Sequence, residues 1–152
     1  MQTVSLAEIR SAMIAAIHDI TPTHEDLRDA VWSYTPSPRK DGRALLPRAT
    51  RNFDIILGGG VPSYVFTGSG GTSYRATVNI ATSYAGVEPD VLEVLVTEDS
   101  VDLRRALSQL RDPTVSGLAN VIATGYANPQ VDDEANSYIE HAFVIDYNQS
   151  TD

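Results

Sequence analysis

Apolar residues near the start of the chain recur at helical spacing. The stripe comprises Leu6, Ile9, Met13 and Ile17, with Ala12 and Ala16 beside it. This period predicts an amphipathic helix that buries one side. The segment Ser5-Leu6-Ala7-Glu8 fits a capping box, in which the serine and glutamate side chains each accept a hydrogen bond from the other residue's backbone N–H. Thr21-Pro22 predicts the end of this helix.

Further along, apolar and polar positions alternate with a period of two. In residues 73–84 one face comprises Tyr74, Ala76, Val78, Ile80, Thr82 and Tyr84. A shorter alternation in residues 51–57, RNFDIIL, predicts a strand with Phe53, Ile55 and Leu57 on one side. Near the C-terminus one strand is predicted within Leu118–Tyr126 and another in residues 137–147, whose apolar face comprises Ile139, His141, Phe143, Ile145 and Tyr147. This period is typical of antiparallel strands with one buried face.

The segment between the first helix and the first strand has weaker patterns. Thr23–Tyr34 fits a short second helix with Thr23 as its cap, and its apolar face would comprise Leu27, Val31 and Tyr34. Residues 35–48, TPSPRKDGRALLPR, are rich in proline and basic residues and predict an extended loop.

The segment Pro89–Arg111 favours a helix throughout, with room for a kink near Asp99, which can cap its second part. Its first portion, Val91–Val96, could instead form a strand, because short apolar runs fit both elements. Residues 128–136, NPQVDDEAN, predict an exposed turn between the last two strands.

The predicted order is helix, strand, strand, helix, strand, strand. It describes an α+β fold: a single mostly antiparallel β-sheet with α-helices packed on one face, extended by a long hairpin and a loop. The length of 152 residues suits one domain over residues 1–152, and we find no internal repeat.

Charge and composition narrow the function classes. The chain has no cysteine, so it has no thiolate nucleophile, thiolate metal site or disulfide. It has no long apolar run and no secretory leader pattern, so we expect a soluble protein with no membrane contact. The net charge of −9 argues against wrapping nucleic acid. Basic residues concentrate before position 88 and acidic residues after it, which suits head-to-tail contacts between identical subunits, although a solvated surface explains it equally simply.

The glycine-rich residues 57–75, LGGGVPSYVFTGSGGTSYR, invite a comparison with phosphate-binding loops. A P-loop requires a lysine in the motif, and the chain's one lysine is Lys40. Phosphate motifs lead into a helix N-terminus, whereas here a strand is predicted to follow. Ser69 also lacks the spacing of a nucleophile elbow. We therefore expect a hairpin connection, in which Val61–Thr67 can extend the strand pairing with glycines flanking it as hinges.

Other catalytic and metal patterns are equally weak. The histidines His18, His24 and His141 have no metal-site spacing, and the acidic run 132–134 has no calcium-loop pattern around it. We predict no catalytic residue, no metal site and no cofactor. The basic loop residues Arg39, Lys40 and Arg43 fit a contact with an acidic protein partner or a solvated loop better than a nucleic-acid clamp.

Five segments together resemble the tail terminator proteins of long-tailed bacteriophages, also called tail completion or tail-to-head joining proteins. The segments are LAEIRSAMIAAI, RNFDIIL, YRATVNIATSY, EDSVDLRRALSQL and IEHAFVIDY, in that order. The resemblance covers nearly the whole chain and lies in the order of elements.

The resemblance implies a non-enzymatic virion protein of the tail and neck, assembled in the cytoplasm of a bacterial host. It implies a homo-oligomer, most simply a hexameric ring, that caps the head-proximal end of the tail tube and stops tube polymerisation. The partners would be the tail tube protein and a head-completion or neck protein, and double-stranded DNA would pass through the lumen without specific binding.

Our own candidates for the subunit interface lie in the basic loop and the glycine hairpin: Arg39, Lys40, Arg43, Arg48, Gly59, Tyr64, Phe66 and Gly70. The alternatives are another neck or tail-tube component, such as a head-closure protein, or, in a different class, a small hydrolase or ligand-binding domain with its site on the sheet face opposite the helices.

Replacing Arg39, Lys40 and Arg43 together with alanine should leave the fold intact, because exposed loop charges stabilise a fold little. We expect the variant to assemble more weakly than the wild type, as measured by native mass spectrometry and by the length of tails. Unchanged ring formation and tail length would contradict an intersubunit role for this loop.

Overall fold

The computed structural model describes residues 3–20, 32–34, 51–62, 72–84, 89–126, 130–131 and 137–149. In chain order the elements are α1 (Leu6–His18), β1 (Ser33–Tyr34), β2 (Arg51–Leu57), β3 (Val61–Pro62), β4 (Thr72–Tyr84), α2 (Pro89–Ser108), β5 (Leu118–Tyr126), β6 (Gln130–Val131) and β7 (Ser137–Gln149).

The strands form one sheet with the order β1-β2-β4-β7-β5. Its centre is the antiparallel pair of β4 and β7, which runs from Thr72 opposite Gln149 to Tyr84 opposite Ser137. The strands β2 and β5 flank this pair antiparallel, and β1 is parallel to β2. The short strands β3 and β6 pair with β4 and β7. The predicted single, mostly antiparallel sheet is confirmed.

One face of this sheet is covered by the two helices. The core combines residues of both layers: Ile9, Met13 and Ile17 from α1, Leu95, Leu103 and Leu107 from α2, and Phe53, Val78, Ile80, Phe143, Ile145 and Tyr147 from the strands. These strand residues belong to the apolar phases of the alternation that the sequence shows. The α+β arrangement, with helices on one face, is therefore also confirmed.

The helix α1 begins as its sequence predicts. The Ser5 hydroxyl accepts a hydrogen bond from the Glu8 backbone N–H at 3.1 Å, and the Glu8 carboxylate accepts one from the Ser5 backbone N–H at 2.7 Å. These bonds lower the pKa of Glu8. Both satisfy N–H groups that have no partner within the helix.

The helix α2 is continuous from Pro89 to Ser108, so Val91–Val96 is helical and the strand alternative is wrong. The proposal that Asp99 caps a second helical part is also wrong, because Asp99 lies in the helix interior and is buried. Its carboxylate bonds side chains of the sheet instead of the backbone of its own helix.

The predicted second helix is wrong at its C-terminal end. Ser33 and Tyr34 form β1, with Tyr34 opposite Phe53 of β2, and the two rings pack with centroids 5.4 Å apart. Pairing with β2 therefore outweighs the local helical spacing at this position. Residues 23–31 of that prediction lie outside the described residues, as does the loop 35–48.

The first three glycines of the glycine-rich segment form an irregularity within a strand and not the tip of a hairpin. Leu57 lies opposite Val78, and Val61 lies opposite Arg75, so Gly58–Gly60 face two residues of β4 with three of their own. One extra residue on one strand is a β-bulge. The expected pairing beyond the glycines is confirmed for Val61–Pro62, and residues 63–71 lie outside the described residues.

The strand β5 contains two register shifts against β7, one between Leu118 and Asn120 and one between Ala123 and Gly125. The second lies at Gly125, whose φ of 136° is a conformation that favours glycine. Beyond β5, Gln130–Val131 pair with β7 as a short strand inside the segment predicted as a turn, and residues 132–136 of it lie outside the described residues.

The bulge glycines make a matched pair for mutation. A Cβ on Gly60 would overlap the Tyr147 hydroxyl and press on the Tyr74 ring, whereas a Cβ on Gly59 would meet nothing within 4 Å. We expect Gly60→Ala to destabilise the fold by about 1–3 kcal/mol, the usual cost of overpacking. Gly59→Ala should leave the melting temperature unchanged or slightly raised, because alanine restricts the unfolded chain.

Thermal unfolding followed by circular dichroism measures both changes. Equal melting temperatures for the two variants would contradict the close packing of Gly60 on Tyr147.

Candidate functional site

The sheet face opposite the helices carries apolar side chains that are exposed. We call this surface the open face and define it by Ile56, Val61, Thr77, Ile122 and Val144. Ile56, Val61 and Ile122 are 43%, 63% and 47% exposed. Among the described residues, neither helix packs on this side. Contiguous exposed apolar side chains are typical of a surface that binds another protein.

The strand register places these side chains next to one another. Thr77 lies opposite Val144, and Val144 lies opposite Ile122, so the three form a row across β4, β7 and β5. One step along the strands, Ile56 and Ala142 flank Asn79 in a second row. The open face is therefore one surface that crosses four strands.

Opposite charges lie at the two ends of the open face. At one end the Arg75 guanidinium donates from Nε and Nη2 to the Asp146 carboxylate at 2.8 and 3.1 Å, and the Asn120 side chain also donates to Asp146. The bond from Arg75 lowers the pKa of Asp146, which is buried, while the Arg75 side chain stays 55% exposed. At the other end the exposed Glu140 carries a negative charge.

At and beyond these ends the same side of the sheet is buried. Asp54 and Ala81 share the row of Glu140, Asn52 and Ser83 lie one row further, and Ser73 and Asn148 lie beyond Arg75 at the other end. The accessible part is thus confined to the middle of the sheet, and this confinement sets the size of what can dock there.

A groove of about 640 Å³ runs beside β3 on this side. Its lining includes Gly59, Val61, Pro62, Arg75 and Val144. Among the described residues that line it the walls are mainly apolar, and the charged side chain, Arg75, forms an ion pair with Asp146. The groove therefore suits an apolar side chain better than a strongly polar ligand.

The helix α2 exposes a second apolar stripe, on the side away from the core. Val94 and Val101 are 47% and 37% exposed and lie two turns apart on one side of the helix. The exposed charges of Asp90, Arg104 and Arg105 extend this stripe towards its two ends. We call these five residues the outer face of α2.

A buried ion pair sets the rotation of α2 against the sheet. The Asp99 carboxylate accepts from the Arg51 guanidinium through Oδ1 and from the Tyr84 hydroxyl through Oδ2, the latter at 2.7 Å. Arg51 and Tyr84 are opposite one another in the β2–β4 pair. The Arg51 guanidinium also lies 4.2 Å from the centre of the Trp32 ring, a cation–π contact. Because Asp99 points at the sheet, Val94 and Val101 point away from it.

Burial raises the pKa of Asp99 to about 6, although the charge of Arg51 opposes the shift. Burial also raises the pKa of Tyr84 well above its ordinary value. At neutral pH Asp99 is therefore ionised and Tyr84 is protonated. All four side chains of this cluster are almost fully buried, so in this conformation a substrate cannot reach them.

A further buried titratable group is His141 on β7. Its Nε2 lies 3.4 Å from the Thr82 hydroxyl, which itself donates to the Ile139 carbonyl. Burial lowers the pKa of His141 to about 4, so the ring is neutral in the folded protein at neutral pH. His141 is thus part of the core, as its place in the apolar alternation indicates.

Of the predicted interface residues, the structure describes Gly59 alone, and it is exposed at the rim of the groove. The others, namely Arg39, Lys40, Arg43, Arg48, Tyr64, Phe66 and Gly70, lie outside the described residues. The alternative of a hydrolase or ligand-binding domain places a site on this side of the sheet, but the exposed apolar residues there were not predicted. A signal was present, because Ile56, Ala142 and Val144 are apolar residues in the polar phase of their strands.

Within the described ranges, no group of three or more His, Asp or Glu side chains is placed to hold a metal ion. Neither described helix combines the length and the apolar character that a membrane span requires. Comparison of the chain with models of known protein families and with curated proteins found no match.

The two buried titratable groups predict opposite pH effects on stability. Asp99 has a folded pKa above its unfolded value, so its contribution to stability is present below pH 3.8 and is lost as the pH rises through about 6. His141 has a folded pKa below its unfolded value, so its contribution is present above pH 6.5 and is lost as the pH falls through about 4.

Asp99→Asn should therefore lose stability relative to the wild type as the pH falls from about 6 to about 4, and His141→Asn should gain it. Each difference should change by about 2 kcal/mol between pH 6 and pH 4, since one pKa unit corresponds to about 1.4 kcal/mol and most of each shift takes effect in this range. Urea unfolding of the three proteins across this range measures the differences. Curves that run parallel to the wild type would contradict the assigned burial effects.

Proposed function

We propose that this protein is a ring-forming structural component of a phage tail, of the tail terminator kind. The observation that carries the proposal is the open face, a sheet surface with exposed apolar side chains and with opposite charges at its ends. The outer face of α2 is a second and differently shaped apolar surface. Each chain therefore carries two different apolar surfaces. Such surfaces favour head-to-tail contacts between subunits, and these contacts form a closed ring when the rotation that relates neighbouring subunits closes.

The order of elements supports the same proposal. The capped α1, the short strand β2, the long strand β4, the helix α2 and the long C-terminal strand β7 occur in the order on which the resemblance to tail terminators rests. Nearly all of the apolar face predicted for each strand is buried under the helices, which leaves the opposite side of one sheet for assembly.

Charge supports a lumen that passes DNA. A net charge of −9 makes the protein surface repel a phosphate backbone on average. A ring of such subunits would let DNA slide through without binding it. The mechanism would be recognition without chemistry: one side of the ring docks on the last tube ring, and the other side receives a neck protein instead of another tube ring.

The groove beside β3 favours a second candidate, a small-molecule binding domain with its site on the open face. The apolar walls of the groove favour an apolar ligand. A screen by thermal shift with apolar small molecules would support this candidate if Val144→Asp abolished a shift seen for the wild type.

The ring proposal is tested on the purified wild-type protein. Native mass spectrometry should find a closed oligomer, and electron microscopy should find a ring. Added to a tail tube protein encoded beside it in the genome, the protein should stop tube elongation and remain at one tube end. A strictly monomeric protein that leaves tube length unchanged would overturn the proposal.

A further inference from the structure

We propose that the outer face of α2 from one copy of the chain packs on the open face of the next copy. This inference rests on the proposed ring and names the contact that would build it. The two described helices lie on one side of each sheet, and on the other side the neighbour's α2 would supply a further layer. A sheet covered on both sides by helices is a stable arrangement of layers.

A helix that packs on the open face must match the spacing of the charges at the two ends of that face. Arg75 lies opposite Asp146 on β7, and Glu140 is six residues before Asp146 on the same strand. At the rise of a β-strand this separates the positive and negative ends by about 20 Å. Between them lie the two rows of the open face, the nearer containing Thr77 and Val144 and the farther containing Ile56.

The outer face of α2 meets this condition with the charges reversed. Asp90 stands at its start, and Arg104 and Arg105 follow 14 and 15 residues later. At the rise of an α-helix the separation is about 21–22 Å. When α2 lies along the strands with Asp90 at Arg75, both arginines reach Glu140.

The apolar residues coincide in the same alignment. Val94 lies about 6 Å from Asp90 along the helix axis, and Val101 lies about 16 Å from it. The two rows of the open face lie about 7 and 13 Å from Arg75 along the strands. Val94 therefore falls on the row of Val144 and Ile122, and Val101 falls about 3 Å beyond the row of Ile56, between that row and Glu140. An apolar centre with charges at its margins is the usual composition of a protein interface.

The side chains at the margins are free to engage a neighbour. Arg75 uses Nε and Nη2 on Asp146, and a guanidinium has five N–H donors, so its exposed edge can bind a second carboxylate. Arg105 has one weak contact, with Asp102 at 3.8 Å, and is 69% exposed. Because the two surfaces differ, the contact is head-to-tail. A row of subunits that does not close therefore has one open face and one outer face of α2 unoccupied at its ends.

A pair of charge reversals tests the contact. One variant carries Glu140→Arg, and the new positive charge should repel Arg104 and Arg105 on a second copy of the same variant. The other carries Arg104→Glu with Arg105→Glu, which should repel Glu140. For each variant alone, the fraction of protein in the oligomer should be at least about tenfold smaller than for the wild type, because like charges in an interface are costly. An equimolar mixture should regain assembly, since each variant then meets only opposite charges and the two alternate around a ring with an even number of subunits.

Native mass spectrometry of each variant and of the mixture reads out the result, with circular dichroism melting to verify folding. Arg10→Glu, a reversal of an exposed charge on α1, is the matched control and should assemble like the wild type. Restored assembly in the mixture supports the contact. Variants that assemble alone, or a mixture that stays dissociated, overturn the contact and leave the ring proposal standing, whereas a monomeric wild type overturns the ring proposal itself.

Discussion

The buried ion pair between Arg51 and Asp99 determines how the two layers of this protein meet. An ionised pair out of contact with water is tolerated only when its geometry and hydrogen bonds are good, and removing one partner typically costs about 3–5 kcal/mol. Here Tyr84 and Trp32 complete the surroundings of the pair, so β2, β4, α2 and the residue that precedes β1 are held at one point. Rotating α2 about its axis would separate Asp99 from the sheet. The direction in which Val94 and Val101 point is therefore a consequence of the ion pair.

The second constraint is that a sheet with helices on one side leaves its other side to be covered or solvated. In this protein the middle of that side is neither polar nor covered by a described element, because Ile56, Ile122 and Val144 interrupt the polar phase of three strands. Arg75 and Glu140 border it with opposite charges. A surface of this kind has a defined length and polarity, and the outer face of α2 has the same length and the opposite polarity. The proposed contact between neighbouring copies depends on this correspondence.

The fold could be predicted largely from local patterns. The capping box places the start of α1 at Leu6, and the alternation in residues 73–84 and 137–147 identifies the two central strands and their buried faces. Predictions failed where a contact distant in sequence overrode the local signal. Tyr34 fits a helix by spacing but pairs with β2. Asp99 fits a cap by residue type but bonds Arg51, which precedes it by 48 residues. At the glycines 58–60 the expectation is confirmed that pairing resumes after them, at Val61, and the register adds that they form a bulge.

The amino-acid sequence by itself determined the elements, their order and which side of each strand is buried, because these follow from the period of apolar residues and from bonds between near neighbours. It also determined that the chain lacks thiol chemistry and carries a strongly negative charge. The tertiary structure alone decided which buried charges pair and which glycine is packed too tightly for a side chain. It also decided that apolar residues from four strands join into one exposed surface. These features depend on strand register and helix rotation, which bring together residues that no local spacing relates.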